Sequence, residues 1–218
     1  MARIRSPIWD WPVRLFHWSL VILIPTAWYL AETGNLEWHR KAGYTIALLL
    51  IFRLLWGLFG SETARFAHFV KGPGATFAYL RSGMFDRNAP AEPGHNPLGA
   101  LSVVAMLALL VVQIGLGLFT SDLDGLESGP LSYLVDFDTS RQMAEYHELV
   151  FNLILVLIAL HVGAILFYLI YKRRNLVGPM ITGGRCESAA ARPRWWVAPL
   201  LLLISIAAVS TFIRIFGI

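Results

Sequence analysis

"HELVFNLILVLIALH", residues 147–161, is an almost unbroken apolar stretch with a histidine at each end. At about 100° per residue, the fourteen-residue step turns about 1400°, about 40° short of four full turns, so a helix places His147 and His161 on one face. At about 1.5 Å per residue they stand about 21 Å apart along the axis, most of the roughly 30 Å hydrocarbon thickness of a bilayer. Ligands of one metal ion must all come within about 2 Å of it, so histidines this far apart belong to two sites.

The composition sets the solvent. Of 218 residues 56% are hydrophobic and 15% charged, against roughly 25% charged in a soluble domain, so the long apolar runs require a membrane. The single cysteine, Cys186, excludes an internal disulfide and reads as an incidental thiol in a polar loop, and without a C-x-x-C-H motif no covalently attached haem is expected.

Five segments are long enough to span: Pro12 to Ala31, Ala42 to Gly60, Leu98 to Thr120, Val150 to Tyr171 and Trp195 to Ile215. The first, with Arg3 and Arg5 ahead of it, lacks a small-x-small cleavage site and is expected to be retained rather than removed as a signal peptide. One side of the membrane would hold Arg3, Arg5, Arg14, Arg65, Lys71, Arg81, Arg87, Lys172, Arg173, Arg174, Arg185, Arg192 and Arg194. The other would hold only Arg40, Lys41, Arg141 and Arg214, with Arg53 left inside a span. The positive-inside rule therefore puts the N-terminus in the cytoplasm and the C-terminus outside. The loop "ARFAHFVKGPGATFAYL" mixes aromatic and basic residues as an interfacial segment would. The outer loop is acidic, with Asp122, Asp124, Glu127, Asp136, Asp138 and Glu145 against the lone Arg141. The linker "TGGRCESAAARPR" is expected to be flexible, and the fifth span to be an addition to a four-helix core.

This topology supplies partners for both histidines. His17 lies near the cytoplasmic start of the first span and His39 at the external start of the second, so the depths match as His17 with His161 and His39 with His147. Two stacked pairs of axial imidazoles are what two b-type haems require, and neutral imidazole needs no compensating charge in lipid. Propionates do need cations. Arg53, fourteen residues after His39, shares its face at the depth of the cytoplasmic pair, and an unpaired arginine there is expensive. It is expected to meet a propionate of the cytoplasmic haem, with Arg14, one turn before His17, as a second candidate. His68 and His95 lie in interfacial or polar segments, and His68 reads as structural.

The motifs "WDWPVRLFHW" (9–18), "HRKAGY" (39–44), "FRLLWG" (52–57), "ARFAHFVKGP" (64–73), "GHNPLGA" (94–100) and the opening stretch resemble the bacterial cytochrome b561 proteins. That family includes the b-type cytochrome subunits of nickel-iron hydrogenases and formate dehydrogenases. The resemblance covers residues 8 to 183 and implies two haems b held by His17, His39, His147 and His161, the same set reached from depth and phase. It also implies a quinone, ubiquinone or menaquinone, near the cytoplasmic haem, with Asn96 and His95 as candidate partners of a quinone carbonyl. Asn96-Pro97 is equally a good turn into a helix.

The expected protein is all-α and integral to the bacterial inner membrane: a four-helix transmembrane bundle holding two haems b (1–183), plus a linker and fifth transmembrane helix (184–218). Its partners would be membrane lipid, quinone and an external c-type cytochrome or redox enzyme subunit, with no nucleic acid. It would act as an electron-transfer subunit or a quinone-linked oxidoreductase. Superoxide oxidation at the external haem, with ubiquinone reduced, is the alternative the resemblance permits. The acidic outer loop opposes it by repelling an anion unless Arg40 and Lys41 dominate locally. The same loop would attract a basic soluble cytochrome, an attraction that salt weakens. A histidine-lined metal transporter fits worst, since its ligands would cluster at one depth.

Overall fold

Asp10 starts the first long helix. Its Oδ1 accepts the Val13 N–H at 2.9 Å, satisfying an amide that a helix start leaves unpaired, and Pro12 follows in the first turn, where a missing N–H is no loss. The computed structural model describes residues 4–83, 85, 94–121, 127–184, 186–188 and 195–217. This first helix runs Trp11–Glu32, and four more long helices follow at Leu36–Phe59, Pro97–Gly117, Phe137–Ile170 and Val197–Phe216. All five are long and apolar enough to cross a membrane. They expose large apolar side chains such as Ile22, Leu160 and Leu203, a surface suited to lipid. The expected all-α membrane architecture is the one the chain adopts. Outside the described residues lie Arg3, Arg87, Arg185, Arg192 and Arg194 of the charge tally and Asp122 and Asp124 of the acidic loop.

The fourth helix departs most from its expected start, beginning at Phe137 rather than Val150. Asp136 caps it: Oδ1 accepts the Thr139 N–H at 2.9 Å and Oδ2 the Thr139 hydroxyl at 2.8 Å. These two bonds hold the Asp136 carboxyl below the usual carboxylate range. Hydropathy marks where lipid suffices as solvent, not where a capped polar turn begins the helix. His147 consequently sits well inside a continuous helix. The second helix also starts early, at Leu36, where the Asn35 carbonyl accepts the His39 N–H at 3.0 Å.

Part of the stretch expected to be a flexible linker forms a strand. Cys186–Ser188 pairs antiparallel with Ile4–Ser6, matching Ile4 to Ser188 and Ser6 to Cys186, and the Trp9 N–H donates to the Gly183 carbonyl at 3.0 Å. Composition could not reveal this, because a strand ladder satisfies main-chain groups whatever the side chains. The segment expected to be interfacial forms short helices at Phe66–Phe69 and Pro73–Ala78, the latter continuing as a π-helical turn over Tyr79–Gly83.

Packing divides the chain into two units, Met1–Phe16, Arg53–Ala105 and Leu157–Leu200 in one, His17–Phe52, Met106–Val156 and Leu201–Ile218 in the other. In the first, Trp56 is fully buried and its indole N–H donates to Asp10 Oδ2 at 2.8 Å, an oxygen the Ser61 hydroxyl also meets. In the second, Ala27, Ala42 and Ile46 form a core joined by Leu20, Leu23, Ile24 and Ile114. Small residues at this contact let helix backbones approach closely, which in lipid replaces a hydrophobic drive that is missing.

Candidate cofactor site

Within the second unit a cavity of about 850 Å³ opens between the helices, a volume within the range of cofactor pockets. His39 and His147 both line it, their ring centroids 6.1 Å apart and their planes at 78°. Each ring is held by a main-chain carbonyl: His39 Nδ1 lies 2.8 Å from Ala27 O, and His147 Nδ1 lies 3.0 Å from Gln113 O. A carbonyl only accepts, so each Nδ1 carries the proton and each Nε2 keeps its lone pair. That tautomer is the one a metal-ligating histidine needs, with its orientation fixed from behind.

The geometry fits a haem. Two metal–nitrogen bonds of about 2 Å, plus the distance from each nitrogen to its ring centre, give a centroid separation of about 6 to 6.5 Å. The observed 6.1 Å falls there. An iron that brings four nitrogens in its own macrocycle asks only two imidazoles of the protein. Gly117 also lines the cavity, and a Cβ there would stand 3.0 Å from His147 Cε1, so glycine gives the imidazole its room. Of the lining residues, Arg40 donates to Glu127 Oε2 and to Ser128 O, both at 3.2 Å, while the adjacent Lys41 pairs with Glu37 at 2.6 Å. Each of these two cations is thus paired with a carboxylate.

The first unit holds His161, Arg53, His95, Asn96 and Arg14. Arg53 is only 4% exposed, donates to Ala64 O at 3.4 Å and stacks over Phe66 at 5.0 Å. It lies within electrostatic range of Asp10. His95 packs between Trp9 and Phe69, ring centroids 4.5 and 4.9 Å away. Burial pushes its pKa down to about 4, with repulsion from Arg53 and His161 adding, so it is neutral at pH 7. His95, Arg53 and His161 thus share one electrostatic neighbourhood. Asn96 does what its alternative reading required: Oδ1 accepts the Gly99 N–H at 2.8 Å and caps the third helix. Its amide donates to the Tyr168 hydroxyl at 2.7 Å, which in turn meets the Tyr79 hydroxyl. Arg14 donates from Nε to Met180 O at 3.3 Å and also reaches Ile181 O, closing the C-terminal turn of the helix Val177–Thr182. In the second unit, His17 meets Trp18 edge-on at 5.1 Å. His68 Nδ1 lies 3.5 Å from Glu62 Oε1.

Several contributors were invisible in the sequence. Ala27 and Gln113 act through carbonyls, which every residue has. Tyr79 comes from a distant segment to meet Tyr168 and Lys172, which are neighbours four residues apart, Lys172 lying 5.7 Å from the Tyr79 ring. Asp10 could have been found, since Asp two residues before Pro is a helix-start signature.

A multi-pass helical protein with two tautomer-fixed imidazoles lining one largely apolar cavity is built as a membrane cytochrome. The chain belongs to the prokaryotic cytochrome b561 family, whose profile matches residues 8–183. It is therefore a transmembrane b-type cytochrome of electron transfer, and its prosthetic group is haem b. It is similar to a probable Ni/Fe-hydrogenase B-type cytochrome subunit of Azotobacter chroococcum mcd 1, 24% identical over 82% of this chain and 87% of the relative. A protein of the same description from Rhizobium leguminosarum bv. viciae is 25% identical with the same coverage. No solved structure matches the chain.

Proposed function

We propose that this protein carries electrons between the membrane quinone pool and a redox partner on the outer face of the bacterial inner membrane, through two haems b. His39 and His147 hold the outer haem and His17 and His161 the inner one. The observation that carries this reading is the His39–His147 pair, with both Nδ1 atoms bonded to carbonyls in one apolar cavity. Haem b supplies reversible one-electron chemistry when bound. The chain's own residues orient the imidazoles, exclude water and set the distance between the sites along the fourth helix. The charge asymmetry supports an N-terminus in the cytoplasm and a C-terminus outside.

Arg53 is the cation for an inner propionate, because a buried guanidinium stacked on Phe66 keeps donors beyond the one that reaches Ala64 O. A quinone near His95 and Asn96 would meet a neutral imidazole and an amide shared with Tyr168. The names of the relatives favour a hydrogenase-type enzyme subunit as the outer partner. Superoxide is disfavoured, since Arg40 and Lys41 are neutralised by Glu127 and Glu37.

A dithionite-reduced minus oxidised spectrum of the purified protein, with haem quantified per chain, tests the reading. Two haems per chain are expected. One haem or none, in protein expressed with haem available, ends it. Separate mixing with quinol and with superoxide then tells quinone-linked transfer from superoxide oxidation.

A further inference from the structure

The family match ends at residue 183, yet the cavity does not end with the first four helices. Ala208, Val209 and Phe212 of the fifth helix line the same 850 Å³ space as His39 and His147. Phe212 packs edge-on against Tyr44 of the second helix, ring centroids 6.4 Å apart at 64°, and Tyr44 also faces the cavity. Phe216 backs Phe212 at 5.2 Å. Earlier on the same helix Ser205 is fully buried, its hydroxyl donating within the helix to Leu201 O at 2.9 Å, and Leu201 and Val209 are buried with it. The helix is two-faced, since Leu203 is 63% exposed. The face with Ser205, Val209 and Phe212 is committed to this unit.

We infer that the fifth helix is part of the cofactor site: Ala208, Val209 and Phe212 form the wall that seals the His39–His147 haem away from lipid and water. The inference rests on the proposed assignment of a haem to that pair. Three properties of the wall argue for it. It is apolar, as contact with a macrocycle edge requires. It includes a small residue, Ala208, so a larger side chain at this lining position would add bulk beside the cavity. Its aromatic member stands two residues from Arg214, near the helix end where water begins. Arg40, Glu127 and Ser128 line the same cavity, so its polar lining comes from other segments and the fifth helix contributes only apolar side chains. A buried haem without water favours the less charged ferrous state, so the wall holds the potential of this haem up.

The test uses three variants of the full chain: Phe212→Ala to open the wall, Ala208→Leu to push into the cavity, and Leu203→Ala as a control on the exposed face. Haem per chain, the optical redox titration and low-temperature EPR are recorded for each. The parent must first show two haem components; a parent with fewer overturns the proposed function rather than this inference. Given two, Phe212→Ala should shift one midpoint to lower potential and leave the other in place. Ala208→Leu should lose or distort that same component, and Leu203→Ala should match the parent. Phe212→Tyr, which keeps the ring, should restore the midpoint. If Phe212→Ala and Ala208→Leu both leave haem content, both midpoints and the EPR signals unchanged, the fifth helix is no part of the site. Equal change in both components overturns the inference too, because it signals general loosening.

Discussion

Replacing Gly117 by alanine tests the ligand geometry with one methyl group. The added Cβ would stand 3.0 Å from His147 Cε1 and 3.3 Å from Nδ1. Comfortable contact between such atoms is about 3.5–4.0 Å, so the overlap is about half an ångström. The imidazole cannot simply retreat, because its 3.0 Å bond to Gln113 O comes from the same helix that carries Gly117. Half an ångström of withdrawal would bring that bond to about 3.5 Å, the limit at which it ceases to count. Overpacking of this kind costs about 1–3 kcal/mol, while alanine in a helix gains up to about 1 kcal/mol over glycine. Gly115, on the same helix, faces open space, so Gly115→Ala carries the propensity gain without the clash. Detergent-solubilised parent and both variants would be compared by haem content, EPR of the oxidised protein and melting temperature. Gly115→Ala should match or slightly exceed the parent. Gly117→Ala should melt lower than Gly115→Ala by the equivalent of about 1–3 kcal/mol and shift the EPR signal of one low-spin haem only. Identical EPR signals and haem content in Gly117→Ala and the parent would refute the placement of His147 as a ligand.

Three other outcomes can be checked. His161→Ala should remove one haem and His147→Ala the other, with retention of both in either variant contradicting the pairing. Asp10→Ala strands the Trp56 indole and the Ser61 hydroxyl and removes the first helix's cap, so it should destabilise by about 3 kcal/mol, read as a lower melting temperature without spectral change. Asp136 has a folded pKa below its unfolded value, so its stabilisation is present above the unfolded value and fades as pH falls through the folded one. The melting-temperature gap between parent and Asp136→Ala should therefore be full at neutral pH and close as the solution becomes strongly acidic; a gap that widens with acid would reverse the sign.

The sequence disclosed what depends on side-chain type and period. Apolar length marked all five spans, and the fourteen-residue spacing placed His147 and His161 on one face of a helix. Helix ends were harder, because "FDTSRQMAEYHEL" is polar and still helical once Asp136 caps it. Arg14 showed the limit of placing charges by depth alone. Its position suited a propionate, but two carbonyls at the end of Val177–Thr182 lie within its reach, and nothing local to residue 14 announces them. The role of the fifth helix was likewise hidden, since Ala208, Val209 and Phe212 read as ordinary lipid-facing residues until Tyr44 is placed opposite.

The carbonyls of Ala27 and Gln113 carry a consequence for how this cytochrome tolerates mutational drift. A tautomer set by a carboxylate side chain is lost with a single substitution. Here the proton on each Nδ1 is held by the peptide backbone, which any amino acid at 27 or 113 supplies while the helix persists. Substitution at either position leaves the acceptor in place, although packing against Ala42 and Ile46 still limits the size of the side chain at 27, and comparison of relatives by residue identity would pass over both.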